Sequence, residues 1–420
     1  MTNFTIPLPN GTTNHGNPKL VCTPATTEDL FVFYISNYFI HAATLPTGPG
    51  ESKEETLFAI LNALFIPGFG ILRAVRRLVM YPSVRQGLSP VDRACASGAL
   101  CMIVHKNTID ALKTATGDEK ALISDEVVAS ANWAAETFQG TLDNTRFLPV
   151  RDIHGVCQPP EDYLLCVVPF GVQLKPFSGP TTEAKKPYVL SSDYSVVKAL
   201  FSLVQIVLGS ITIYRSRGDQ ITQYGYASFG LSVVPYVFMS VVNAIATVCA
   251  PTFPTMYMIR TPDMDRAEGD GGHFDGVVAE LVPGKPEEEY KDGETKREKV
   301  PSTMTERPWT FLYIVLIFLL SLAVPLGIVG ALSGNFGQGL RSTKAQRGWI
   351  MSWMLIGSLS SLIALFFQLA LRFAPPTNEH YGWMLFIALC IVAPFWVPAI
   401  GGMVSVSGQL KEYGICTRFD

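Results

Sequence analysis

Asn37 and His41 stand four residues apart in the apolar stretch 30–45, LFVFYISNYFIHAATL. On a helix that spacing puts both side chains on one face. Polar groups at membrane depth are costly, so they either bind a solute, ion or proton or hydrogen-bond a neighbouring helix. Asn243, in a second apolar stretch, completes a candidate intramembrane polar site. Asn62, Gln205 and Gln368 occupy further apolar windows and read first as hydrogen-bonding glue between helices.

Other constellations carry less. His105 and Asp110 have the His-x4-Asp spacing seen in lipid acyltransferases, but the same pair fits a solvated helix end. Cys157 and Cys166 flank Pro159-Pro-Glu-Asp162; a hairpin centred on Glu161 and Asp162 would set the two thiols within disulfide reach, and in a reducing compartment they would be free thiols. Asn3 (Asn-Phe-Thr) and Asn10 (Asn-Gly-Thr) are glycosylation acceptors if the N-terminal tail reaches a lumen. The acidic run 263–275 would attract calcium, yet it lacks the loop pattern of an EF-hand. Gly68-Phe-Gly70 lacks the third glycine of a dinucleotide fingerprint, and no zinc-protease, serine-hydrolase or Cys-x-x-Cys motif occurs. No catalytic residue, metal or cofactor is implied.

The elements that must hold these residues are apolar. Hydrophobic residues make up 48% of the chain and charged residues 16%, with mean hydropathy +0.26, against roughly 25% charged in an average soluble domain. A net charge of -3 gives no basic surface for nucleic acid. The first 25 residues have neither the cationic nor the apolar region of a cleavable signal, so insertion is expected to use an internal segment.

A membrane-crossing helix needs about 20 apolar residues, because lipid offers no partner to exposed backbone groups. Windows 309–332, 349–371 and 381–406 contain no Asp, Glu, Lys or Arg. Windows 194–214 and 224–250 form a hairpin around Arg215-Ser-Arg-Gly-Asp-Gln220, with Lys198 one turn from its window's end. Windows 30–45 and 57–72 are shorter and either span or form a re-entrant pair. No window holds a carboxylate, which argues against proton-coupled transport and intramembrane aspartyl proteolysis.

Seven spans place the loops with Arg215, Arg217, Arg341, Lys344 and Arg347 on one face, cytosolic by the positive-inside rule. The N-terminus, its two sequons and the Cys157/Cys166 hairpin then face outward. Arg73, Arg76 and Arg77 vote the other way. Between the second and third windows, Ser89-Pro-Val-Asp92 is a helix start ahead of the apolar run ALCMIV. The run 261–308, with EEEYKDGETKREK, has the composition of a solvated linker.

The strings DLFVFYISNYFIHAATLPTGPGE (29–51), RSRGDQITQYGYASFGLSVVPY (215–236) and IHGVC (153–157) resemble a family of multi-spanning membrane proteins of filamentous fungi. The resemblance implies a fungal cell with the plasma membrane or an endomembrane as address; it brings no activity, ligand or catalytic residue.

These readings predict an all-α membrane bundle of about seven transmembrane helices with a small α+β extramembrane domain. Its order is a polar tail (1–29), a first helical pair (30–77), the extramembrane domain (78–190), a transmembrane hairpin (191–260), a charged flexible linker (261–308), three transmembrane helices (309–406) and a C-terminal tail (407–420). The expected role is non-enzymatic solute passage or a channel. The alternatives are a membrane-anchored sensor or scaffold with an external binding domain, and an acyltransferase-like enzyme. The partner is the lipid bilayer, with self-association left open.

Overall fold

The computed structural model describes residues 8–80, 89–108, 151–168, 172–177, 190–192, 194–282, 319, 322–371 and 381–418, with the backbone alone at 76, 79–80, 358–371, 381–393 and 418. Near the N-terminus β1 (Leu20–Thr23) leads into α1 (Thr27–Tyr34), which runs through a π turn (Ile35–Phe39) into α2 (Ile40–Ala43). Thr26 and Asp29 close a capping box at its start, each side chain accepting the other's backbone N–H. Window 57–72 forms no single span. Ile66 precedes Pro67 and is driven out of helical geometry, to φ -132 and ψ 80. The chain therefore breaks into α3 (Lys53–Phe65) and α4 (Pro67–Met80). Arg73 and Arg77 of α4 bond the carbonyls of Pro46 and Thr47, in the loop from which α3 departs. Helix α4 thus ends beside the loop from which α3 departs.

The capping box expected at Ser89 is present and opens α5 (Pro90–Ala96). The helix stops at Gly98, whose φ of +70 is open to glycine. The apolar run that follows is the strand β2 (Leu100–His105), five of whose six residues are buried. Burial on both faces suits its continuous apolar sequence. With β3 (Cys157–Gln158), β4 (Tyr163–Val167), β5 (Leu174–Pro176), β6 (Tyr257–Arg260), β7 (His273–Phe274) and β8 (Val277–Leu281), it builds the sheets of a mixed domain.

The main sheet has the order β4-β2-β6-β8-β5, parallel at β2-β6-β8 and antiparallel at both edges. Helix α6 (Val196–Ser216), the short α7 (Asp219–Tyr224) and α8 (Val234–Cys249) are inserted between β5 and β6. Helix α9 (Pro262–Gly269) joins β6 to β8. The described part of the expected linker, 261–282, is thus ordered, and the expected extramembrane domain is discontinuous in sequence. Helices α10 (Leu322–Leu332), α11 (Lys344–Leu371) and α12 (Tyr381–Tyr413) precede β9 (Ile415–Arg418).

The expectation of a seven-span all-α bundle is overturned. Among the described residues two helices, Val196–Ser216 and Leu231–Cys249, are long and apolar enough to cross a membrane. They sit in a mixed α/β fold with a five-stranded sheet. An independent argument is topological. β1 pairs antiparallel with β9, Cys22 faces Cys416, and the two form a disulfide. An odd number of crossings would leave those residues on opposite sides of a bilayer.

Candidate functional site

Helix α6 is built inside out. Its buried residues are Ser202, Gln205, Gly209 and Ser216, on one face by their spacing. Its outward residues include Val197, Leu200, Phe201, Val204, Val207 and Ile211. A helix in water hides the second set and shows the first.

The polar face of α6 looks onto α2 and α8. Gly209 allows the approach: a Cβ there would stand 2.4 Å from Val237 Cγ2 and 3.4 Å from His41 Nε2. His41 is fully buried, and its Nδ1 lies 2.6 Å from the Ser240 hydroxyl. One turn along α8, Asn243 Nδ2 donates to Thr44 Oγ1 at 3.3 Å, and Thr44 donates to the His41 carbonyl at 2.7 Å. His41 and Asn243, distant in sequence, therefore belong to one hydrogen-bonded chain. Asn37 lies in the π turn and bonds only locally, to the Phe33 carbonyl at 2.9 Å and to Ser36 Oγ at 3.0 Å.

Among the described residues, four buried atoms along this seam have no protein partner: Asn37 Oδ1, His41 Nε2, Gln205 Oε1 and Asn243 Oδ1. Leaving such a group unpaired costs about 1–3 kcal/mol each. Sequence reasoning singled out Asn37, His41 and Asn243, and treated Gln205 as glue. It missed Thr44, Ser240 and Gly209, although Ser202, Gln205 and Gly209 recurring along one face of an apolar helix was a readable signal.

Asn62 is glue in the expected sense, its Oδ1 accepting from Trp396 Nε1 at 3.3 Å. The Gln368 side chain lies outside the described residues. Around the seam the packing is aromatic: Tyr38 meets Tyr236, Trp353 and Phe33, and its hydroxyl lies 2.7 Å from Ser232 Oγ.

Comparison with protein-family models, with curated proteins and with solved structures finds no match. What the site does must therefore be read from its own chemistry.

At the sheet end of the seam the helices are riveted to the mixed domain. Arg77 reaches the carbonyls of Thr47, Ala250 and Pro251 and the Thr252 hydroxyl at 2.7–3.2 Å. Arg73 pairs with Glu51 and bonds the Pro46 carbonyl. Arg151 pairs with Glu55 at 2.7 Å, and the backbone of Asp152 bonds both Gly50 and Met256. The loop after α2 and the loop after α8 are thereby fixed to the sheet at the start of its central strand β6.

The remaining expected residues fall elsewhere. A turn does form at Pro160–Tyr163, the Tyr163 N–H meeting the Pro160 carbonyl at 3.1 Å, but the strands beside it do not pair with each other. β3 pairs with β7 and β4 with β2. Cys157 therefore faces Phe274 and Cys166 faces Met102, both as free thiols, which corrects the expected Cys157–Cys166 disulfide. Burial pushes the Cys157 thiol up to about 11 and Cys166 up to about 12. Asn10 is exposed before β1; Asn3 lies outside the described residues.

Asp110 is also outside them, so the His105/Asp110 pair has no geometry here. The His105 N–H instead donates to Asp263 at 2.9 Å. In the acidic run, Asp265 and Glu268 pair with Arg260, and Asp270 accepts from the Tyr163 hydroxyl at 2.6 Å. Those carboxylates are engaged inside the protein.

Proposed function

We propose that this chain is a membrane-embedded, non-enzymatic sensor or scaffold whose α6–α8 hairpin crosses the bilayer and carries the mixed sheet domain on one face. The observation that supports it is the inverted α6, with small and polar residues inside and large apolar residues outside. At 1.5 Å per residue its length is about 31 Å, the thickness of a bilayer's hydrocarbon. Both ends of the hairpin join one sheet, as a twice-crossing segment requires.

Orientation follows from sulfur. The Cys22–Cys416 disulfide lies at the end of the bundle where the termini meet, whereas Cys101, Cys157 and Cys166 in the sheet domain are free thiols. The disulfide end is assigned to the oxidising, exoplasmic side and the sheet to the reducing side. The N-terminus stays outside in this reading, the continuous helical run Thr27–Ala43 crosses beside the hairpin, and Arg73 and Arg77 come to lie inside and Arg215 and Arg217 outside.

The closed seam favours sensing over solute passage, since His41 and Asn243 are fully buried. Its unpaired polar atoms give it an alternative state to adopt, and the Arg73/Arg77/Arg151 junction would pass a change in the seam to the sheet. The test compares wild type with His41→Ala in lipid nanodiscs by hydrogen exchange, and in proteoliposomes by solute flux. Altered protection in β6 and β8 without flux is expected. Flux through wild type that His41→Ala abolishes would establish passage instead, and unchanged exchange would remove the coupling.

A further inference from the structure

His15 packs against the disulfide that joins the two ends of the chain. One ring nitrogen of His15, Cys22 Sγ and Cys416 Sγ all lie within 4.8 Å of one another. The imidazole is held on two sides. It stacks on Tyr413, with centroids 4.6 Å apart and planes 4° from parallel, and its Nε2 lies 2.9 Å from the Tyr413 carbonyl oxygen. A carbonyl can only accept, so Nε2 carries the proton and Nδ1 keeps a free lone pair. The backbone of His15 is left-handed, at φ +50, a conformation uncommon for a residue with a side chain. It sits in a turn in which Asn14 Oδ1 accepts the Gly16 N–H at 3.0 Å. An imidazole oriented through its second nitrogen by a backbone carbonyl is the usual support of a metal-bound histidine.

We propose that His15, Cys22 and Cys416 form a redox-gated site for a zinc(II)- or copper(I)-type cation. The site is closed in the disulfide form and offers three ligands in the dithiol form. Two thiolates and an imidazole are a donor set for such ions, with a fourth position left to water or a partner's ligand. Bonds of 2.0–2.3 Å need donors roughly 3.5 Å apart, so the imidazole must approach by about 1 Å and the two sulfurs, bonded to each other in the disulfide form, must move apart once reduced. Opening requires a dithiol reductant. It gives two electrons to the Cys22–Cys416 bond and becomes a disulfide itself, while the two sulfurs take up its two protons. The cation then displaces those two protons to water. The inference stands on these contacts and does not depend on the membrane reading.

The test uses the full chain in detergent, reduced with a phosphine under anaerobic conditions and titrated with cobalt(II), then with zinc(II) as competitor. Reduced wild type is expected to bind one cobalt per chain with a thiolate-to-metal charge-transfer band, and the oxidised protein none. The Cys22→Ser/Cys416→Ser double variant should lose the band. His15→Ala, which keeps both cysteines, should weaken binding at least tenfold, and His15→Cys should restore it. A reduced wild type without the band would overturn the proposal. So would a double variant that keeps it, or a His15→Ala protein that binds as tightly as wild type.

Discussion

Val207 offers the most direct measurement of whether α6 lies in lipid. It is 51% exposed and sits at the middle of Val196–Ser216, with Leu203, Val204, Leu208 and Ile211 exposed around it. Replacing it with aspartate at the centre of a bilayer costs about 3 kcal/mol for the charge and a few tenths more for the lost valine, roughly 3.5 kcal/mol in all. At about 1.4 kcal/mol per decade that is a factor of roughly 350 in the inserted-to-uninserted ratio. On a water-facing helix the same substitution changes stability by no more than about 0.5 kcal/mol. The assay adds a glycosylation acceptor on a flexible linker after Arg217 and follows its modification in microsomes. The wild-type loop should be largely modified and the Val207→Asp loop largely not. Equal modification of the two, with equal melting temperatures in detergent, would refute the lipid-facing assignment.

Ser240→Ala strips the hydroxyl from His41 Nδ1, and a buried nitrogen left without its partner should lower stability by about 1–3 kcal/mol. Adding His41→Leu should recover most of that loss in thermal melts, and no recovery would show the bond to be incidental. Gly209→Ala brings a methyl 2.4 Å from Val237 Cγ2 and should cost about 1–3 kcal/mol by overpacking; Gly348→Ala, which meets no atom within 4 Å, should cost nothing and serves as its control. Because the thiolate is the reactive form and burial raises Cys157 to about 11, its alkylation should climb about tenfold per pH unit from pH 7 to 10. In the unfolded chain the rise should flatten near pH 8.5, and a folded protein whose profile flattens there too would show the thiol to be solvated.

The hairpin and the helix starts were legible because their signals are local. Windows 194–214 and 224–250 nearly coincide with α6 and with Leu231–Cys249, and Ser89 caps α5 as its sequence implied. The i, i+4 spacing of Asn37 and His41 presumed one α-helix, whereas the π turn at Ile35–Phe39 holds Asn37, which bonds only locally. The sheet was not. β2 follows a good helix start and reads as its continuation, yet the Gly98 turn frees it to pair with β6, some 150 residues on. β8 is five residues at the start of a charged run and gains its place through parallel pairing with β6. The Pro159–Asp162 turn was read correctly, but the partners of its flanking strands were supplied from far away. Cys22 and Cys416, 394 residues apart, carry no local sign of their bond. Spans were overcounted because apolar length alone was weighed. Ile66-Pro67 breaks one window, and the sheet and disulfide set a parity that hydropathy does not contain.

The hairpin's position inside the sheet dictates an order of assembly. When β2, β4 and β5 have been synthesised, only the β2–β4 pair can form, because β5 touches neither; β6 and β8, which bridge them, come after α6 and α8. If the hairpin crosses a bilayer as proposed, the domain waits during synthesis with unpaired strand edges until the hairpin has gone in and returned. A failed insertion would then leave those edges exposed, so quality control of this chain should act on the sheet domain even when the lesion is in the hairpin.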